Sequence, residues 1–233
     1  MGPLLQNPII VALDLDSAEE AYKLAQEVGE VAGALKIGPR LVMREGQAFV
    51  QKLAQLAPVF VDMKHFDIPS TMVAGIQASF DAGATLVTVH ALAGKEALRE
   101  CANLEAKLNQ IRPFKILAVT VLTSWGEGNL PISFQPKPIK EHVLDLASEA
   151  EEAGITGLVC SGHELDLLKD KKSFKVVPGI RMDLEEHQDQ KRVMEPKTAL
   201  SKGAQALVVG RPILQAPNPK EAVLDYVMAS MGK

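Results

Sequence analysis

The sequence predicts an α/β fold, a single (β/α)8 TIM barrel that spans residues 1–233 as one catalytic domain. Short apolar runs rich in Val, Ile and Leu recur along the chain, and a helical pattern follows each of them. The runs are almost continuously apolar rather than alternating, which is typical of parallel strands buried on both faces. We predict strands at 8–15, 33–38, 58–64, 85–91, 114–122, 156–162, 174–180 and 206–213.

The length also fits this prediction, because 233 residues lie close to the usual size of such barrels, about 250 residues. A doubly wound open sheet is the alternative.

The helices carry end signals of their own. Ser17, with Glu20 three residues later, forms the pattern of a capping box, and Gly29 is expected to close that helix. Further helices are predicted up to Gly154 and over 218–232.

The charge balance argues against a nucleic-acid-binding protein. The chain has 25 Lys and Arg residues against 29 Asp and Glu residues, a formal net charge of −4. Nothing offsets the repulsion between such a chain and an extended phosphate backbone. A local basic cluster is still enough to bind one small phosphorylated ligand.

The cysteines and the apolar segments indicate the compartment. Cys101 and Cys160 have neither metal-ligand spacing nor the density of a disulfide scaffold. The N-terminal segment has no basic region and meets acidic residues after a short apolar run, so we expect neither a signal peptide nor a membrane span there. No segment reaches about 18 consecutive apolar residues. We therefore expect a soluble, cytoplasmic protein without membrane contact.

Polar residues follow nearly every predicted strand at its carboxyl end. In barrels of this class the active site lies at that end, where side chains reach the open mouth. We therefore take these residues as site candidates: Asp14, Lys36, Asp62, Lys64, His90, Thr123, Ser124, Ser161, Arg181, Gly210 and Arg211.

The stretch VDMKHFD, residues 61–67, carries the most informative charges. Asp62 and Lys64 are two residues apart in a strand and are expected to share a face that points into the mouth. With Asp67 in the following loop, and Lys36 and Asp14 ending the two preceding strands, we expect three aspartates and two lysines to alternate across one cavity. The alternative is a set of salt bridges that only plugs the barrel.

Such an array suits a decarboxylation that uses no cofactor. A carboxylate held about 4 Å from a bound anionic group repels it by on the order of 4 kcal/mol at an effective dielectric of 20. That repulsion disappears when the group leaves as neutral CO2. A neighbouring ammonium group stabilises the negative charge left on carbon and can donate a proton to it.

The last two strands predict a phosphate site. Gly179 and Arg181 follow the seventh strand, and Gly210 and Arg211 follow the eighth. The loops after these two strands are the usual phosphate site of such barrels, and arginine pairs well with phosphate oxygens. The polar segment 182–196 is long for a connection in a compact barrel and is expected to be a lid. Alternatively, Arg211 is a surface arginine and the segment a solvated loop.

With both sets of residues located, the chain resembles orotidine 5′-phosphate decarboxylases of the bacterial type over essentially its whole length. The combination of the string DMKHFDIPST with PGIR and VGR carries the resemblance with high specificity, whereas a lone D-x-K-x-x-D string would not. The matching segments are 11–14, 35–38, 61–71, 87–90, 118–124, 159–162, 178–181, 189–196 and 208–213.

The resemblance implies conversion of orotidine 5′-monophosphate to UMP and CO2, with no metal and no cofactor. It implies that Lys64 protonates C6 of the pyrimidine and that Asp62, flanked by Lys36, faces the departing carboxylate. It also implies a homodimer in which Asp67 and Thr71 reach the neighbouring subunit's site. The other substrate contacts implied are Asp14 and Lys36 to the ribose, Thr123 or Ser124 to the pyrimidine edge, Arg181, Gln190, Gly210 and Arg211 to the phosphate, and Ile68 and Pro178.

Some positions depart from the family pattern without removing a charged or phosphate-binding group. Phe66 stands where histidine is common, Val177 stands where threonine is common, and HALAG follows the fourth strand in place of HASGG. Cys160 is expected to pack in the barrel, and His90 to be a hydrogen-bonded barrel residue. For Trp125, covering the site and covering the surface are both open.

Two other functions compete with this hypothesis. A group of Mg²⁺-dependent phosphosugar enzymes resembles the chain in the D-x-K-x-x-D string, but a glutamate is expected where this chain has Lys36, which would repel a metal ion. A non-catalytic phosphate-binding barrel would keep the Gly/Arg pairs without needing the lysine–carboxylate array.

Overall fold

A computed structural model of the protein describes residues 4–126, 128–132, 134, 137–182 and 193–232. Eight parallel strands pair in chain order, and the eighth pairs with the first, so the sheet closes into a barrel. This closure excludes the doubly wound open sheet. The strands are β1 Ile9–Ala12, β2 Ala34–Ile37, β3 Val59–His65, β4 Ala84–His90, β5 Lys115–Val119, β6 Gly157–Val159, β7 Phe174–Pro178 and β8 Ala206–Val209.

The helices surround the barrel, but they do not follow every strand. They are α1 Ala18–Val28, α2 Pro39–Ala54, α3 Pro69–Asp81, α4 Lys95–Leu108, α5 Ile139–Glu152, α6 Pro196–Ser201, α7 Arg211–Leu214 and α8 Pro219–Met231. The prediction of a helix after β6 is wrong, because a 3-10 turn at Gly162–Glu164 follows that strand instead. The side chain of Glu164 accepts from the backbone N–H of Ser161 and closes this turn, while buried Leu165 and Leu168 cover the barrel in little more than one further turn.

Strand alternation divides the core into two parts, although both faces of the sheet are buried. Inward side chains such as Ile10 and Phe60 fill the barrel, and outward side chains such as Ile9 and Val11 pack against the helices. This two-sided burial explains the continuous apolar runs in the sequence. In the described part of the chain, no helix is both long and apolar enough to cross a membrane.

The predicted ends of α1 are found with one difference. The hydroxyl of Ser17 accepts from the backbone N–H of Glu20 at 3.3 Å, as expected for an N-cap. Gly29 ends the helix with φ −58°, so it is not a left-handed cap. Close approach explains the glycine instead, because a Cβ there would lie 2.8 Å from the carbonyl oxygen of Ala25.

Candidate active site

A cavity of about 590 Å³ opens at the carboxyl ends of the strands, in the size range of small-molecule sites. Residues from seven of the eight strand ends line it, as barrel geometry requires for residues predicted at one rim. Ten of the predicted site residues line it: Asp14, Lys36, Asp62, Lys64, Thr123, Ser124, Pro178, Arg181, Gly210 and Arg211.

Four of these side chains form a continuous chain of alternating charge, here called the four-residue array (Asp14, Lys36, Asp62 and Lys64). Lys36 Nζ lies 3.0 Å from Asp14 Oδ1 and 3.6 Å from Asp62 Oδ2. Lys64 Nζ donates to Asp62 Oδ1 at 2.9 Å. Two carboxylates therefore face two ammonium groups across one wall of the cavity.

The environment of Asp62 keeps it ionised. Burial is the largest single influence on its carboxyl group and by itself raises the pKa. The charges of Lys36 and Lys64 and the hydrogen bonds from Lys64 and Thr88 together outweigh burial, so the pKa lies below its usual value. The surroundings of Asp62 thus keep a buried carboxylate ionised at neutral pH.

The carboxyl end of β3 is not the regular strand that the sequence predicted. The ladder to β4 loses its register there, between the pairs Val61–Val87 and His65–Val89. Lys64 has φ 48°, and it is the one non-glycine residue with positive φ in the described part of the chain. This region is unfavourable for side chains other than glycine. Asp62 and Lys64 do meet, but across a bulge rather than by simple alternation.

Two arginines that follow the last two strands, Arg181 and Arg211, also line the cavity. Arg181 is 7% exposed, and its Nη1 donates to the carbonyl oxygen of Ile180 at 2.7 Å. Arg211 is half-buried and begins α7, directly after Gly210. Arg40 also lines the cavity and was missed by sequence reasoning, since it lies inside α2 rather than at a strand end; its Nη1 is 3.2 Å from Asp16 Oδ1.

Two short segments, 179–182 and 193–194, pair beside Arg181 and are called the loop stem here. Ile180 forms a parallel bridge with Met194. The backbone N–H of Arg181 donates to the carbonyl of Met194, and the N–H of Met194 donates to the carbonyl of Gly179, both at 3.1 Å. Of the predicted lid 182–196, residues 183–192 lie outside the described residues, and so does the predicted phosphate ligand Gln190.

The turn after β6 packs directly on the loop stem. A Cβ on Gly162 would lie 2.8 Å from Sδ and 2.9 Å from Cβ of Met194, so only glycine fits at this contact. His163 Nε2 donates to the carbonyl oxygen of Val193 at 3.2 Å. Sequence reasoning missed this contact, because it joins residues about thirty positions apart with no charge pattern to mark them.

Asp67 lies outside the four-residue array. Its Oδ1 accepts from the backbone N–H of Ile68 at 2.7 Å, and Pro69 begins α3 immediately afterwards. The carboxylate therefore binds the backbone of its own loop. The expectation that all five charges share one cavity is therefore wrong within a single chain. Asp67 and Thr71 line a second, smaller pocket, which Lys64 also borders. Ile68 is 64% exposed and does not line the main cavity.

The remaining candidates have structural surroundings. His90 Nδ1 accepts from the backbone N–H of Leu92 at 3.3 Å, which confirms the prediction of a hydrogen-bonded barrel residue. Cys160 borders the cavity but is buried, and burial raises the pKa of its thiol to about 12. Trp125 packs edge-on against Phe134, with ring centroids 5.4 Å apart, and is not part of the cavity wall.

The two carboxylates that line the cavity, Asp14 and Asp62, are the potential oxygen ligands for a metal ion there. Among the residues that the structure describes, no group of three or more His, Cys, Asp or Glu side chains is arranged to hold one. The ammonium of Lys36 lies between the carboxylates of Asp14 and Asp62. A cation at this place would meet the positive charge of Lys36 at close range.

The chain matches known proteins along nearly its whole length. The model of the orotidine 5′-phosphate decarboxylase / HUMPS family matches residues 7–226. Orotidine 5′-phosphate decarboxylase of Nitrosococcus oceani is 40% identical over 223 residues, which cover 94% of this chain and 95% of that protein. The enzyme of the same name from Maridesulfovibrio salexigens is 38% identical over 228 residues, covering 95% and 97%.

A solved structure agrees with these relatives. The crystal structure of orotidine 5′-phosphate decarboxylase from Lactobacillus acidophilus superposes with a TM-score of 0.84 at 33% identity, covering 97% of this chain and 99% of that one. Family match, sequence identity and barrel architecture extend over the same residues. This chain belongs to the orotidine 5′-phosphate decarboxylase / HUMPS family.

Proposed function

We propose that this protein decarboxylates orotidine 5′-phosphate to UMP and CO2, without a metal ion or other cofactor, as a cytoplasmic step of de novo pyrimidine biosynthesis. The observation that carries the proposal is that the four-residue array and two arginines, Arg181 and Arg211, line the same cavity. The first feature suits a reaction that creates and removes charge on carbon, and the second suits a phosphate. Relatives that carry the name of this activity support the choice of substrate.

The proposed chemistry follows from the position of Asp62. A substrate carboxylate bound beside it meets a fixed negative charge, a repulsion on the order of 4 kcal/mol at 4 Å and an effective dielectric of 20. The C–C bond breaks with its electron pair left on C6, and neutral CO2 departs, which removes the repulsion. Lys64 lies next to Asp62 and would stabilise the carbanion and then transfer a proton from Nζ to C6.

The cavity also offers a place for each part of the nucleotide. In this proposal Asp14 and Lys36 hold the ribose hydroxyls, and Thr123 or Ser124 reads the pyrimidine edge. Pro178 lines the wall of the cavity beside the substrate. The phosphate takes Arg181, Arg211, the backbone at Gly210 and, outside the described residues, Gln190. Binding at the phosphate end then holds the carboxylate against Asp62.

The proposal includes a homodimer in which Asp67 serves the site of the second copy. Asp67 is exposed, and the large apolar side chains on either side of it, Phe66 and Ile68, are 62% and 64% exposed. Exposed apolar side chains that lie together are typical of a protein–protein interface. Lys64 borders both the main cavity and the pocket of Asp67 and Thr71. A carboxylate from a second copy would extend the alternation beyond Lys64.

Mixing two inactive variants tests this arrangement. Lys64→Ala and Asp67→Asn are purified separately, mixed under conditions that exchange subunits, and assayed. If Asp67 acts across the interface, roughly a quarter of wild-type activity returns, because half of the dimers are mixed and each contains one intact site. If Asp67 acts within its own chain, no mixed dimer has an intact site and the mixture stays inactive.

The proposed reaction itself is tested by following the absorbance loss of orotidine 5′-phosphate with purified protein in excess EDTA. We expect full turnover in EDTA and a fall in kcat of several orders of magnitude for Lys64→Ala, with UMP affinity changed much less. Activity that is lost in EDTA and restored by Mg²⁺ would favour the metal-dependent alternative. Nucleotide binding without release of CO2 would indicate a non-catalytic barrel.

A further inference from the structure

The bulge in β3 faces one residue of the neighbouring strand. Residues 62–64 lie between the ladder pairs that flank the bulge, and on β4 only Thr88 lies between the same two pairs. Three backbone units therefore stand opposite one, and the regular ladder cannot satisfy the polar groups of all three. Thr88 is fully buried, so water does not reach this point to replace the missing partner.

The hydroxyl of Thr88 supplies the missing contacts on both sides. It accepts from the backbone N–H of Lys64 at 2.8 Å and donates its hydrogen to Asp62 Oδ1 at 2.9 Å. A hydroxyl has one hydrogen and two lone pairs, so both bonds form at once. Asp62 Oδ1 is also the atom that accepts from Lys64 Nζ, which closes a small ring of hydrogen bonds.

The backbone of Lys64 needs such support. Its φ of 48° lies in the left-handed region, where the Cβ crowds the backbone. A residue keeps this conformation only when its surroundings hold it there. The N–H that Thr88 binds belongs to this same residue. Without that acceptor, the partly buried N–H of Lys64 would lose its hydrogen-bond partner, and the left-handed conformation would lose the contact that holds it.

We propose that Thr88 is a positioning residue that sets the geometry of the Asp62–Lys64 pair through hydrogen bonds from the neighbouring strand β4. It holds the Lys64 backbone in its left-handed conformation and fixes the Asp62 carboxylate, without touching the substrate itself. This inference deepens the proposed function and rests on it for its kinetic consequences. Its structural consequence, the state of Asp62, does not depend on turnover.

The test uses Thr88→Val, which keeps the shape and removes the hydroxyl, with Thr88→Ser as the variant that restores it. Thr120→Val is the matched control, because Thr120 is equally buried on the next strand end and its hydroxyl donates to the carbonyl of Val159, away from the four-residue array. We expect kcat to fall roughly tenfold to a hundredfold in Thr88→Val, the effect of losing a hydrogen bond to a charged group. KM should change less than about threefold, since the phosphate end is untouched.

A second readout separates positioning from a general loss of folding. The pKa of Asp62, followed by carbon-detected NMR of the carboxyl group, should rise in Thr88→Val and return to the wild-type value in Thr88→Ser. The acid limb of the kcat profile should move to higher pH in the same variant. Thr120→Val should reproduce neither change even if its melting temperature falls equally, and Thr88→Ala replaces Thr88→Val if the latter does not fold.

The possible outcomes are distinct. Unchanged kcat and unchanged Asp62 pKa in Thr88→Val would overturn the inference, and so would equal losses in Thr120→Val. If wild-type protein does not decarboxylate orotidine 5′-phosphate, the proposed function fails, and the Asp62 pKa alone then decides the role of Thr88.

Discussion

Replacing Gly162 by alanine perturbs the contact between the turn after β6 and the loop stem. The new methyl group would lie 2.8 Å from Sδ and 2.9 Å from Cβ of Met194, both closer than real Cβ contacts allow. Rotation of the methionine side chain moves Sδ but not Cβ, so the backbone of Met194 has to shift. That backbone is hydrogen-bonded to Gly179 and Arg181, and the shift is therefore passed to the residue proposed to bind phosphate.

The expected effects follow from these distances. Overpacking of a tight contact costs about 1–3 kcal/mol, which for a chain of this size lowers the melting temperature by roughly 2–12 °C. A displacement of Arg181 by a fraction of an ångström should reduce kcat/KM for orotidine 5′-phosphate by roughly tenfold or more. Binding of uridine, which has no phosphate, should not change, whereas binding of UMP should weaken.

The assay compares Kd values for UMP and uridine by calorimetry, together with kcat/KM. Met194→Gly removes both Sδ and Cβ, the atoms that the methyl group meets, so Gly162→Ala should cost much less in that background than alone. Gly128→Ala is the matched control, because a Cβ there has no heavy atom within 4 Å. Equal weakening of UMP and uridine binding, or no relief from Met194→Gly, would refute the link between this turn and Arg181.

Three further predictions concern the phosphate and the acid response. Arg211→Ala should raise KM and also lower kcat for orotidine 5′-phosphate, yet leave turnover of orotidine unchanged, because remote binding energy helps to organise the reacting end; an equal loss with orotidine would contradict this role. Burial lowers the pKa values of His65 and His90, and the charge of Lys64 also lowers that of His90, so both are neutral in the fold and its stability should decline as pH falls below about 6.5. The pKa of Asp62 is also lowered, so its contribution is complete above about pH 4 and is lost only as pH falls further through the lowered value. Melting temperatures measured across pH for the wild type and for His65→Phe should show the first decline reduced in the variant and the second unchanged.

The parts of this protein that could be predicted from its sequence are those set by local pattern. All eight strands fall at the predicted runs, six of them entirely within and β3 and β4 with one residue beyond, at His65 and Ala84. Burial on both faces imposes this continuous apolar signal. The gathering of ten predicted site residues in one cavity follows from barrel geometry, which brings every strand's carboxyl end to one rim. The roles of these residues stay predictions.

The features that escaped the sequence depend on contacts between distant residues or on unusual backbone. The bulge at Lys64 and the partnership with Thr88 are not marked by any spacing; a threonine within the apolar run VTVH was the one available signal. Gly162 looks like an ordinary turn glycine until Met194 is seen against it. The missing helix after β6 has the same origin, because a side-chain cap from Glu164 closes the turn that a periodic pattern would have extended.

Charge balance in the four-residue array bears on how the site could act on a carboxylate. Two carboxylates face two ammonium groups, so every charge of the array has an opposite charge within 4 Å. A substrate carboxylate at Asp62 adds a negative charge for which the four-residue array has no further cation. On the proposed function, attraction between phosphate and arginine offsets this repulsion, which vanishes as CO2 leaves, so the site favours the transition state over the bound substrate. The arginines and the four-residue array then act on one bound substrate, so shifting Arg181 or releasing Lys64 should impair the same step.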